Sequence, residues 1–245
     1  MSAAATAPRV RLGMLTPSSN TALEPVTQRM LAGLPEVSVH FSRFPVTEIA
    51  LSPGALAQFD DTPILRAAEL LAHAKVAVIA WNGTSSGWLG FEADHRLCRR
   101  ITEATGIPAT TSMLALNELL ALQGVRSIAF VTPYLDAVQA RIVANYRALG
   151  FEVRGERHLG LQDNFSFSEV TPEQLRAMVR EVAAEKPDAV AVICTNLHAA
   201  PLAEALESEL GIPVYDTIAT AAWKALCVSS VDARRVVGWG CLFQA

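Results

Sequence analysis

The chain has 245 residues, 51% of them hydrophobic and 18% charged, with a formal net charge of −4, and such a chain can bury a large core without disulfides or metals. Its mixed charges form no basic stripe for nucleic acid and no polybasic patch for a membrane surface, and no apolar run is long enough to span a bilayer. A globular protein with a small-molecule partner is expected.

Taken in chain order, Met1–Pro8 lacks the positive and apolar regions of a secretory signal, so a cytoplasmic location with reduced thiols is expected. Val10–Leu15 reads as a strand that runs into Thr16-Pro17 and then a helix, and Val37–Phe41 reads as a second strand. A helix is expected over Thr62–Ala74 and a strand over Val76–Trp81, ending in the polar turn Asn82-Gly83-Thr84-Ser85. The helix Phe91–Thr105, the tripeptide Gly106-Ile107-Pro108 and a helical run from Thr111 to Leu120 follow.

The same landmarks then recur. Ser127–Val131 is a strand running into Thr132-Pro133 and the helix Leu135–Leu149, and Glu152–Gly155 is the next strand. After the polar stretch Leu161–Ser168 come the helix Pro172–Glu185 and the strand Ala189–Cys194, which ends in Cys194-Thr195-Asn196. The helix Leu202–Leu210 leads to Gly211-Ile212-Pro213 and a helical run from Thr217 to Leu226. Landmarks repeated in order at nearly constant separation are the trace of a duplicated unit.

An α/β fold is therefore expected, made of two pseudo-symmetric halves, each a mostly parallel sheet flanked by helices. The first half takes residues 10–122 and the second 123–245, with the last helix of each half (111–122 in the first) free to cross onto the other. Ligands in open α/β sheets bind at the carboxyl ends of the strands. That rule places Thr16–Asn20, Asn82–Ser86, Thr132–Tyr134 and Cys194–Asn196 around one cleft between the halves.

Cys194 follows an apolar strand, and its sulfur is expected near a helix N-terminus, where free amides and the macrodipole favour the thiolate. Taken alone, a cysteine at a strand end is as readily a small core residue. The pair Thr195-Asn196 favours function, because it exposes polar groups at the strand tip. Cys98, Cys227 and Cys241 read as structural, and no Cys/His spacing indicates a metal.

The turn Gly83-Thr84-Ser85 offers hydroxyls and free N–H groups suited to a carboxylate or an enediolate. It lacks the lysine of a P-loop, and no cofactor is expected. Asn20 sits in a helix-capping sequence but is expected to face the cleft and donate to a substrate carboxylate. Tyr134 could donate likewise, and Asn164 is expected in a loop covering the cleft. His198, four residues past Cys194, reads as a surface histidine rather than as its base.

These motifs resemble those of the aspartate/glutamate racemase superfamily, in its maleate isomerase and arylmalonate decarboxylase branch, over essentially the whole chain. Pro17-Ser18-Ser19-Asn20-Thr21, Thr132-Pro133-Tyr134 and Cys194-Thr195-Asn196-Leu197 look like the isomerase pattern, which implies that Asn20, Tyr134 and Asn164 hold substrate carboxylates. Gly83-Thr84-Ser85 and Gly238-Trp239-Gly240-Cys241-Leu242-Phe243 look like the decarboxylase, because the isomerase carries a cysteine directly before its Thr-Ser pair.

Glycine can neither take nor return a proton, so two-base chemistry is in question here. The resemblance implies a cofactor-independent, one-cysteine enzyme acting on a small dicarboxylic acid. Its first form is decarboxylation of a substituted malonate, with Cys194 protonating the enediolate and Gly83, Thr84, Ser85, Tyr134, Asn20, Asn164, Thr195 and Asn196 binding the substrate. The alternatives are a maleate isomerase-like or racemase-like enzyme using Cys194 alone, and a non-catalytic dicarboxylate-binding protein. Alanine-rich outer faces permit a homo-oligomer without fixing its size.

Overall fold

A computed structural model describes residues 9–245, so the expectation drawn from Met1–Pro8 lies outside the described residues. The first half runs β1 (Val10–Pro17), α1 (Leu23–Met30), β2 (Val37–Phe44), α2 (Pro53–Ala57), α3 (Asp61–His73), β3 (Val78–Trp81), α4 (Ser86–Leu89), α5 (Glu92–Thr105), β4 (Ala109–Thr111) and α6 (Ser112–Leu122). The second runs β5 (Ser127–Thr132), α7 (Asp136–Ala148), β6 (Glu152–His158), α8 (Pro172–Ala183), β7 (Ala189–Val192), α9 (Ala203–Leu210), β8 (Val214–Asp216) and α10 (Thr217–Val228).

Each half folds into a four-stranded parallel sheet, in the orders β2-β1-β3-β4 and β6-β5-β7-β8. The two orders are the same topology used twice, as the repeated landmarks require. Strands β1, β3, β5 and β7 are buried almost throughout, which is why they read as unbroken apolar runs rather than as alternating ones.

Strands β4 and β8 were not expected from sequence. Each is only three residues long and follows the Gly-Ile-Pro tripeptide. Gly106 and Gly211 end α5 and α9 in the left-handed conformation, at φ of 70° and 69°, which is the usual glycine helix stop. The repeat is thus a turn device that ends a helix and starts an edge strand. Helix α10 packs on α6 and also against β3 and β4 of the first sheet, and Thr220 Oγ1 donates to the Ser112 carbonyl at 2.9 Å. Among the described residues, no helix is long and apolar enough to cross a membrane.

Candidate active site

Parallel strands end together, so the turns after β1, β3, β5 and β7 meet at one place. There Pro17, Gly83, Thr84, Ser85, Tyr134, Asn164, Cys194 and Thr195 line a small cavity of roughly 20 Å³. The rest of its lining is Val46, Ile49, Phe59, Trp81 and Trp88. None of these residues is charged, and the wall is largely apolar and aromatic.

The polar end is built on two turns. After β3, the N–H groups of Gly83, Thr84 and Ser85, on the turn that lines the cavity, have no protein acceptor among the described residues. Thr84 Oγ1 and the Tyr134 hydroxyl share a hydrogen bond of 2.7 Å. Trp88 and Phe167 hold the Tyr134 ring edge-on from two sides, at 5.3 and 5.6 Å, and burial pushes its phenol well above the usual range. Tyr134 is therefore a neutral hydroxyl donor with a fixed position.

Cys194 is 2% exposed, and its surroundings correct the expectation of a thiolate at a helix N-terminus. Strand β7 stops at Val192, a turn occupies Thr195 and Asn196, and α9 begins only at Ala203. The turn that carries the sulfur therefore does not lead directly into a helix. Burial pushes the thiol up to about 12, against the opposing pull of the Asn196 N–H, 3.3 Å from Sγ, and of the Tyr134 hydroxyl. Desolvation wins, and near neutral pH the group is a thiol. Thr217 Oγ1 accepts the Cys194 N–H at 3.1 Å and fixes the backbone there.

Asn20 and Asn196 lie behind the cavity wall rather than in it. Asn20 Oδ1 accepts the N–H groups of Ala22 and Leu23 at the start of α1, and its amide donates to the Thr195 carbonyl at 2.8 Å. Asn196 Oδ1 accepts the N–H groups of Thr21 and Ala22, while its amide donates to the Asn164 carbonyl at 2.6 Å. Each asparagine reaches across into the other half, so the pair clamps the two strand tips. The Asn20 amide assigned by sequence to a substrate carboxylate is spent inside the protein. Thr195 lines the cavity, but its hydroxyl is likewise committed, to the Asn82 carbonyl at 2.9 Å.

Asn164 lies between β6 and α8 and lines the cavity. Its N–H donates to Thr47, its amide to Ser19 Oγ at 2.7 Å, and Ile49 donates to Gln162. These bonds tie the segment near Val46 and Ile49 to the second half beside the cavity. His198 is half-buried and does not line it; burial and Arg29 hold its imidazole below the ordinary range. Among the described residues, no cluster of histidine, cysteine or carboxylate side chains could hold a metal.

Gly83, the counterpart of Cys194 in the repeat, has no space for a side chain. A Cβ built there would stand 1.8 Å from Cζ2 of Trp81. Sequence reasoning missed Trp81 as a site residue, along with Val46, Ile49, Phe59 and Trp88, because apolar residues outside any polar motif read as core. The one available signal was a bulky aromatic ending a strand two positions before a glycine.

The sequence model described as arylmalonate decarboxylase matches residues 12–243. The arylmalonate decarboxylase of Bordetella bronchiseptica is 33% identical over 172 residues, 69% of this chain and 71% of that protein. A maleate isomerase of Nocardia farcinica is 27% identical over 225 residues, 88% of each chain. The solved structure of a Nocardia farcinica maleate cis-trans isomerase mutant with a covalently bound succinylcysteine intermediate has a TM-score of 0.87 at 27% identity, covering 96% of this chain and 98% of that one.

Proposed function

The chain belongs to the arylmalonate decarboxylase family, and from that premise we propose that it decarboxylates a substituted malonate, with Cys194 as the single proton donor. The observation that carries this reading is a buried cysteine on a cavity lined by no charged residue, beside the hydroxyls of Thr84 and Tyr134 and the unpaired N–H groups of Gly83, Thr84 and Ser85.

One substrate carboxylate takes the N–H groups of Gly83, Thr84 and Ser85 and the hydroxyls of Thr84 and Tyr134. The other carboxylate, among Val46, Ile49, Phe59 and Trp88, has few donors, and this loss of solvation favours its departure as CO2. When the carbon–carboxylate bond breaks, its electron pair remains as an enediolate, and preplaced donors stabilise the growing negative charge. The Cys194 S–H proton passes to carbon, forming the C–H bond. The N–H groups beside Sγ hold the resulting thiolate until solvent reprotonates it. The aromatic wall suits an apolar or aryl substituent, and Asn20, Asn164, Thr195 and Asn196 act by holding the two strand tips and the covering loop in place.

A second reading is favoured by the similarity to maleate isomerases over most of the chain. In it, Cys194 adds as a thiolate to the double bond of a small unsaturated dicarboxylate. That step needs the form of the sulfur that burial disfavours, so it ranks second. The test is a panel of α-substituted malonates beside maleate, with wild type and Cys194→Ala. CO2 release that disappears in the variant supports the decarboxylase, whereas maleate turnover without CO2 release supports the isomerase.

A further inference from the structure

We propose that Trp81 is the stereocontrolling residue of this site: its indole closes the face opposite Cys194, so the proton arrives from one side only. The inference rests on the decarboxylase reading above and adds to it a residue that selects the handedness of the product.

Three observations carry it. Gly83 and Cys194 are equivalent positions of the duplicated unit, and both line the cavity. The space that a side chain at Gly83 would take is filled by the six-membered ring of Trp81, whose Cζ2, Cε2 and Cη2 would stand 1.8, 2.2 and 2.4 Å from an added Cβ. The indole cannot easily yield, because it is 1% exposed and packs on Phe44 at 5.0 Å between ring centroids. Its backbone is also fixed by register with Leu15 on one side and Thr111 on the other.

The chemistry follows from what an indole lacks. An enediolate is planar at the carbon to be protonated, so each face yields one enantiomer. The thiol serves one face. An indole, whose N–H is far too weak an acid to protonate the carbon, covers the other and keeps water from it. In a two-acid site the second position would carry a proton donor; here it carries a glycine that leaves room for the ring.

The experiment uses an α-methyl-α-aryl malonate, whose product gains one stereocentre, and reads the enantiomer ratio by chiral chromatography. Wild type and Trp81→Phe are expected to give nearly one enantiomer. Trp81→Ala opens a space larger than a water molecule (about 30 Å³ of liquid volume), and is expected to give both enantiomers in comparable amounts. A merely structural role would lower the rate and leave the ratio unchanged, and an unchanged ratio in Trp81→Ala overturns the proposal.

Gly83→Cys probes the same geometry without touching Trp81. It is expected to melt well below wild type and to gain no racemisation. A Gly83→Cys protein that melts like wild type and racemises the product would also overturn the proposal. Absence of CO2 release by wild type from every malonate defeats the decarboxylase reading itself, a result distinct from retained handedness in Trp81→Ala.

Discussion

Replacing Asp216 by asparagine should remove much of the pH dependence of stability. Asp216 caps α10, its Oδ1 accepting the N–H groups of Ile218 and Ala219, and the Ala200 N–H also acts on its carboxylate. Full burial pushes its carboxyl from 3.8 up to about 7, although the cap hydrogen bonds pull the other way. An acid raised in the folded state contributes nothing unfavourable below its unfolded value, where both states are protonated. As pH rises from about 4 to about 7 the unfolded chain ionises first, and stability is lost through that window.

At 1.36 kcal/mol per pH unit, the loss from Asp216 grows by roughly 2–3 kcal/mol between pH 5 and pH 8. Asparagine keeps the cap and cannot ionise. Asp94, pushed up to about 6 by burial beside Thr111, is present in both proteins and cancels from the difference. The melting temperature of Asp216→Asn relative to wild type should therefore be about 5–10 °C higher at pH 8 than at pH 5, for a domain of this size. Equal differences at the two pH values would refute the reasoning, because they would mean that Asp216 ionises alike folded and unfolded.

Other outcomes follow from the same geometry. Tyr134→Phe removes the hydroxyl that meets Thr84 Oγ1 and Cys194, and kcat should fall on the order of 10²–10³-fold with the melting temperature little changed. Asn196→Ala strands the Thr21 N–H and removes a donor from the Asn164 carbonyl, while the Ala22 N–H keeps Asn20 Oδ1, which should cost about 1–3 kcal/mol in denaturant titration. Gly83→Ala forces its Cβ into Trp81 and should destabilise by about 1–3 kcal/mol. Gly54→Ala, in α2 with open space around it, should be neutral or stabilising by up to about 1 kcal/mol in the same melting assay.

The duplicated order of strands and helices was legible because buried parallel strands leave apolar runs and the stop of α5 recurs at α9 as Gly-Ile-Pro. Strands β4 and β8 were not, since three residues carry too little pattern to separate from the loop before them. The turn residues Gly83, Thr84, Ser85, Tyr134 and Cys194 could be singled out because their polarity at strand ends has no role in a core. The direction of a side chain could not. Asn20 and Asn196 carry the same amide whether it meets a ligand or clamps two turns, and only the positions of Thr195 and Asn164 decide between them. Nor could the state of Cys194 be read from sequence, because it depends on how much hydrocarbon surrounds the sulfur and on where the next helix begins. Trp81 is the largest omission: its importance lies in the space it fills above Gly83, and a sequence does not display space.

The most direct measurement is an ultraviolet thiolate titration of wild type minus Cys194→Ala, which isolates one sulfur among four. No thiolate signal from Cys194 is expected through neutral pH and up to about pH 10, since burial pushes the group up to about 12. A Cys194 thiolate already half formed near neutral pH would contradict it, because the sulfur would then be a ready nucleophile and a poor source of the proton.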